Sequence, residues 1–233
     1  MNKKVILTHF GSTSDFSLLN KKAKIYHFPM LNIKSNKLNN FKPSEYEYFI
    51  FTSRNSVESF IKYYKNDLKK IKTICLGKKL LEKMKKLGFN ISYSCKYPYK
   101  ENLVEELTKD NLIRNKKVMY LTGNLSDNYI EMKLKSHCHI HRKNIYITRP
   151  VLAKNNELEK ILNEKDCIII FTSPSAFDSF LIKYQIKNQK IGAIGKTTME
   201  HIYKNNYNVD FMPKIPSYNN LCSEINKYIN KLN

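Results

Sequence analysis

The chain has 233 residues, 42% of them apolar, so it can bury an ordinary core and is not disordered by composition. Its length suits one large domain or two small ones, and no apolar stretch approaches the roughly 20 residues of a membrane-spanning helix. The net charge of +21 comes from lysines spread over nearly every predicted helix alongside many asparagines; that spread is a compositional bias and not a nucleic-acid face, although its field favours an acidic small substrate.

Basic residues precede the first apolar run, which is too short for a signal sequence, so residues 4–9 read as a first strand and the protein as cytoplasmic. The spacing then predicts a helix over 14–22, capped by Ser14 or Asp15, a strand over 23–29 and an extended run over 30–33. Residues 35–43 are polar and read as a connection. A strand over 46–51 leads to a helix over 55–64 with Val57, Phe60, Ile61 and Tyr64 on one face. A strand over 71–76 stops at Gly77, and a helix over 78–87 ends at Gly88 as a left-handed cap. Next come a short strand over 91–93, a helix over 102–107 and a strand over 117–121 that ends in Thr122-Gly123-Asn124-Leu125. A helix over 126–134 follows, then extended backbone at 140 and 144–148. The last third alternates again: helix 157–162, strand 167–171, helix 175–184, strand 190–194, helix 196–205, strand 207–212 and helix 220–232.

One phrase occurs twice. Phe51-Thr52-Ser53 returns as Phe171-Thr172-Ser173, each between an apolar strand and a helix, and Ile74-Cys75-Leu76-Gly77 is answered by Gly192-Ala193-Ile194-Gly195. Two related α/β halves follow, with a groove between them as the expected site. Alternating strands and helices imply parallel sheets, whose ligands bind beyond the carboxyl ends of the strands. Those ends carry Thr52-Ser53, Gly77, Thr122-Gly123-Asn124, Thr172-Ser173 and Gly195-Lys196-Thr197-Thr198. Small residues at helix starts expose N–H groups that bind carboxylates or phosphates, and the same turns also serve as plain helix caps.

Other chemistries are poorly supported. There is no GxGxxG and no GxxxxGK[ST], and no G-x-S-x-G elbow that would make Ser173 a hydrolase nucleophile. His137, His139 and His141 would share one side of an extended segment, but no second cluster completes a metal shell, so no metal is expected. The five cysteines, Cys75, Cys95, Cys138, Cys167 and Cys222, form no CxxC pair and fit reduced core thiols. Tyr146, in a returning extended segment, reads either as an interface aromatic or as a hydroxyl able to donate a proton.

Taken in order, these stretches resemble the uroporphyrinogen-III synthase family over nearly the whole chain. Phe51-Thr52-Ser53 with Val57, and Phe171-Thr172-Ser173-Pro174-Ser175, resemble its two Thr/Ser turns. Gly123-Asn124-Leu125 is similar to its glycine turn, and Ile145-Tyr146-Ile147-Thr148 to its returning linker. Ala193-Ile194-Gly195-Lys196-Thr197-Thr198 resembles its Ile-Gly-Pro-Thr-Thr turn, and Pro216-Ser217 with Leu221 its C-terminal stretch. Three positions depart: Lys196 replaces the usual proline, His9 stands where many members have arginine, and Ser126-Asp127-Asn128 lacks the usual basic residue.

The resemblance implies an α/β fold of two similar, flavodoxin-like, three-layer domains with parallel sheets. One is inserted in the other, and a two-stranded extended linker joins them. Residues 1–33 and 150–233 would form the discontinuous domain, 36–146 the inserted one, and 28–36 with 142–150 the linkers. The implied activity is that of a cytoplasmic lyase of haem biosynthesis. It would act as a monomer on hydroxymethylbilane, removing water, inverting the terminal ring and closing the macrocycle. Tyr146 would be catalytic. Thr52, Ser53, Gly123, Asn124, Thr172, Ser173, Ser175, Gly195, Thr197 and Thr198 would bind substrate. No metal, organic cofactor, nucleic acid or membrane is implied. The other class that fits the two halves is a binder of an anionic metabolite without turnover.

Overall fold

The computed structural model describes residues 3–19, 23–164 and 166–231. In chain order the elements are β1 Lys3–Leu7, a 3₁₀ turn Ser14–Leu19, β2 Ala23–His27, β3 Leu31–Ser35, β4 Tyr48–Phe51, α1 Arg54–Tyr64, β5 Lys72–Leu76, α2 Lys78–Lys86, β6 Asn90–Cys95 and α3 Lys100–Lys109. There follow β7 Lys117–Gly123, α4 Tyr129–Leu134, β8 His139–Pro150, α5 Asn156–Leu162, β9 Cys167–Phe171, α6 Pro174–Leu181, β10 Lys190–Ala193, α7 Lys196–Lys204 and α8 Tyr218–Lys231. The chain divides into two compact units, Met1–Asn32 with Arg149–Asn233, and Ile33–Thr148.

The discontinuous unit holds a sheet in the order β10-β9-β1-β2 with every pairing parallel. Successive side chains of a strand point to opposite faces. Ile6, Ile169 and Phe171 therefore pack under Phe177, Phe180 and Ile202 on one side. Val5, Leu7, Ile168 and Ile170 pack against Phe16, Leu221 and Ile225 on the other. A strand covered on both faces needs a continuous apolar run, which is why β9 reads Cys-Ile-Ile-Ile-Phe and is wholly buried.

The second unit holds the order β3-β8-β7-β4-β5-β6, parallel from β8 through β6. Phe49, Phe51, Met119 and Leu121 meet Val57, Phe60 and Met84 on one face. Tyr48, Ile50, Val118 and Tyr120 meet Leu103, Leu107 and Ile130 on the other. From β4 the chain runs outward to β5 and β6, then returns to place β7 on the other flank of β4. Likewise β1 is flanked by β2 and, much later in the chain, by β9. Each reversal opens a crevice beyond the strands' carboxyl ends, where ligands of such sheets bind.

Several elements differ from expectation. The helix expected over 126–134 begins only at Tyr129, because Asp127 Oδ1 accepts the Tyr129 N–H at 3.1 Å and holds the preceding residues in a turn. The helix over 14–22 is a 3₁₀ turn over Ser14–Leu19, and 20–22 lie outside the described residues, as does 232 of the last helix. Extended backbone at 140 and 144–148 is one continuous strand, β8. The strand expected over 207–212 is a single bridge between Gly192 and Phe211. Asp210 Oδ2 accepts the Ile191 N–H at 2.8 Å, so a side chain occupies the edge donor a further ladder would use, and Pro213 has no N–H to extend one. No helix among the described residues is long and apolar enough to cross a membrane.

Candidate functional site

In the second unit, Ser53, two residues past β4, has extended backbone and caps α1, its Oγ accepting the Ser56 N–H at 3.1 Å. Ser56 Oγ donates back to the Ser53 carbonyl at 2.8 Å. The two hydroxyls of the turn meet tyrosines of opposite core faces. Thr52 Oγ1 lies 3.3 Å from Tyr120 Oη, and Ser53 Oγ lies 3.3 Å from Tyr146 Oη.

Tyr146 reaches that place through β8. Its register against β7 slips between Thr122 and Gly123, which sets Tyr146 opposite Gly123. The ring is 8% exposed and lies on the glycine: a Cβ there would fall 2.4 Å from Cε2 and Cζ and 2.8 Å from Oη. Asn124 next to it is bound to its own unit. Its Oδ1 accepts the Thr148 N–H at 2.7 Å and its Nδ2 donates to the Thr148 carbonyl at 3.1 Å.

On the other face of this sheet edge, a cavity of about 450 Å³ is lined by Thr52, Tyr120, Lys100 and Asp127 together with apolar Leu76 and Ile130. Lys100 pairs with Asp127. The hydrogen bond between them holds the ammonium above its ordinary pKa and the carboxyl below its own. The positive charge missing from 126–128 is thus supplied by α3, where it neutralises Asp127.

In the discontinuous unit, Ser173 caps α6, its Oγ accepting the Ala176 N–H at 3.2 Å and lying 3.1 Å from Ser175 Oγ. Pro174 occupies the first helical position, where a missing N–H costs nothing. One strand over, Gly195 caps α7 with extended backbone, and a Cβ there would sit 3.2 Å from Pro216 Cγ. Among the described residues no side chain caps α7. Lys196 and Thr197 are exposed, Thr172 and Ser175 are half-buried, and Thr198 is 3% exposed.

His9, just beyond β1, is 5% exposed among Phe16, His27 and Tyr218. Its Nε2 donates to the Ser12 carbonyl at 2.9 Å, and His27 Nε2 donates to the His9 carbonyl at 2.8 Å. His9 Nδ1 is buried with no hydrogen-bond partner among the described residues. Burial pushes the pKa of this imidazole below 6.5, and His27 lowers it further.

Thr52, Ser53, Gly123, Asn124 and Tyr146 are therefore gathered in one unit. Thr172, Ser173 and Ser175 stand beside Gly195, Thr197 and Thr198 at adjacent strand ends of the other. Sequence reasoning missed Tyr120 and Ser56. The signal for Tyr120 was its place in β7, two residues before Thr122 and on the face opposite Leu121. Of the histidines, His137 Nδ1 lies 3.0 Å from Ser136 Oγ and His141 Nδ1 lies 3.0 Å from Tyr46 Oη. Among the described residues no group of three or more His, Cys, Asp or Glu could hold a metal ion.

Against known proteins, the family model described as uroporphyrinogen-III synthase HemD matches residues 17–229. Among solved structures the chain is similar to uroporphyrinogen-III synthetase from Helicobacter pylori, with a TM-score of 0.75 and 19% identity over 98% of this chain and 100% of that one. It is also similar to a mutant uroporphyrinogen III synthase from the extremely thermophilic bacterium Thermus thermophilus, with a TM-score of 0.63 and 14% identity over 99% of this chain and 98% of that one. At such identities the two structures speak for the fold. No curated protein matches the sequence.

Proposed function

Since the chain belongs to the uroporphyrinogen-III synthase family, we propose that it closes hydroxymethylbilane to the type III macrocycle and that Tyr146 is the acid that assists loss of water. The activity is that of a lyase of tetrapyrrole synthesis. In the proposed reaction the phenolic proton passes to the substrate's hydroxymethyl oxygen, the C–O bond breaks, and water leaves an azafulvene system. The terminal ring attacks through its substituted carbon to give a spiro intermediate, which fragments and recloses with that ring inverted. The proton released as the last ring regains aromaticity returns to the phenolate, so one water is lost and the enzyme is restored.

The match over residues 17–229 carries the family, and the placement of Tyr146 carries the site. Spontaneous closure gives the other isomer, so the enzyme's task is mainly to hold a reactive chain in one geometry. Hydroxyls and backbone N–H groups suit that task. Thr172, Ser173, Ser175 and the α7 start with Gly195, Thr197 and Thr198 would contribute them in one unit, and Thr52 with the Gly123-Asn124 turn in the other. The Asn124 side chain bonds Thr148, so there the backbone is the more available partner, and Thr198, nearly buried, would shape the turn more than contact the substrate. A monomer in the cytoplasm completes the reading, and sedimentation at working concentration checks the first part.

The deciding experiment incubates the purified chain with enzymatically made hydroxymethylbilane and resolves type I from type III product by chromatography. Type III isomer is expected, and type I alone would overturn the function. Tyr146→Phe is expected to slow type III formation by roughly 10²–10⁴-fold. An unchanged rate would remove Tyr146 from the chemistry.

A further inference from the structure

The two Thr-Ser turns share a sequence but not a hydrogen-bond pattern. Ser53 Oγ accepts from Ser56 N–H, lies 3.2 Å from Ser56 Oγ and meets Tyr146 Oη at 3.3 Å. Ser173 Oγ bonds small groups of its own turn, the Ala176 N–H and Ser175 Oγ. The glycines differ in the same way. Gly123 lies beneath the Tyr146 ring, whereas Gly195 faces Pro216. We infer that Ser53 and Gly123 act through Tyr146 as positioning residues, whereas the Ser173 hydroxyl serves no such partner. The inference rests on the catalytic role proposed for Tyr146.

The chemistry follows from the donors available. A serine hydroxyl has one proton and two lone pairs. One lone pair of Ser53 takes the Ser56 N–H, so its proton can turn toward Ser56 Oγ or toward Tyr146 Oη. Turned toward Tyr146, it leaves the phenolic proton free for the departing hydroxyl. After transfer it remains a donor to the phenolate, at the start of α1, where negative charge is also favoured. Gly123 supplies the other constraint, since the absence of a side chain lets the ring lie on the backbone with its oxygen at Ser53. The α1 cap thus fixes the oxygen and the β7 glycine fixes the ring.

A double-mutant cycle on the isomer assay tests this. Ser53→Ala should lower kcat about tenfold, the effect of one hydrogen bond of ordinary strength, with KM within about twofold. Ser53→Thr, which keeps hydroxyl and cap, should recover most of the loss. Ser53→Asn keeps a capping group without that hydroxyl and should behave like Ser53→Ala, which separates the effect from helix stability. In a Tyr146→Phe background Ser53→Ala should cost less than about twofold more, because the hydroxyl it serves is gone. Ser173→Ala should instead raise KM. Independent, multiplying losses for Ser53→Ala and Tyr146→Phe would overturn the inference, as would a pure KM effect at Ser53. A wild-type chain that makes only type I product fails at the function, before this question arises, and overturns the inference with it. Wild-type turnover in Tyr146→Phe removes its premise.

Discussion

Gly123→Ala tests how closely the ring of Tyr146 is held. The new Cβ would fall 2.4 Å from two ring carbons and 2.8 Å from the oxygen. Carbon contacts in folded proteins settle near 3.5–4.0 Å, so the ring must retreat by about 1 Å or more. It has little room, because Tyr146 is buried within the cluster that includes Phe51 and Leu121. Two costs follow. Overpacking of this kind typically removes about 1–3 kcal/mol of stability. The retreat also carries the hydroxyl beyond hydrogen-bond reach of Ser53, which it meets at 3.3 Å. A displacement of about 1 Å at a reacting group can cost about 10²-fold in rate. Urea denaturation measures the first cost, and the ratio of type III to type I isomer measures the second, since lost enzymatic closure leaves the spontaneous product. A Gly123→Ala protein with wild-type stability and isomer ratio would refute the reasoning, for it would mean that the ring is free to move without consequence.

Three other outcomes are expected. His9 has its folded-state pKa lowered below 6.5 by burial, so the unfolded chain binds its proton first; stability should hold above about pH 6.5 and fall as the pH drops below that toward the folded value. His9→Phe should flatten that part of a urea-midpoint profile while its titratable neighbours His27 and Asp15 stay in place. All five cysteines are buried and their thiols are raised, those of Cys95, Cys138 and Cys222 to about 11 and that of Cys167 to about 12, so a thiol reagent should react quickly with none of them until denaturant is added. Lys196→Pro should leave the melting temperature within a few degrees, since the first helical position needs no N–H, and a large loss would show that this N–H has a partner.

The regular elements were legible because both sheets are covered on two faces. Such strands must be short apolar runs, and β4 and β9 announce themselves as Tyr-Phe-Ile-Phe and Cys-Ile-Ile-Ile-Phe. The helix face of Val57, Phe60, Ile61 and Tyr64 reads equally well, since its period matches a single buried stripe. What failed was local. Around Tyr129 and at 207–212, single aspartates took backbone donors that helix or strand would have used, and apolar periodicity carries no trace of that choice. The site was half legible for the same reason. Ser53 and Ser173 could be read as caps from their positions before helices. That a tyrosine more than ninety residues on shares the Ser53 hydroxyl depends on a slip in strand register, which no spacing rule encodes.

The three departures from the family pattern take on physical meaning in the structure. An arginine after β1 would carry a permanent charge at the strand's carboxyl end. His9 does not replace it, because the imidazole is buried and burial favours its neutral form. Lys196 adds what β1 lacks. It stands at the first position of α7, is paired with Glu200 at 3.6 Å, and brings both an ammonium and a backbone N–H that proline would not have. Strands in a sheet lie about 4.8 Å apart, and β1 is separated from β10 by β9 alone. His9 and Lys196 thus follow the carboxyl ends of strands one removed from each other in the same sheet. In the other unit the charge absent after the glycine turn comes from Lys100, but there it is paired with Asp127. The Lys196 pair is the looser of the two, with both side chains largely exposed. The more available cation is therefore the one at α7, beside the Ser173 turn, whereas the one near the glycine turn is already held by Asp127.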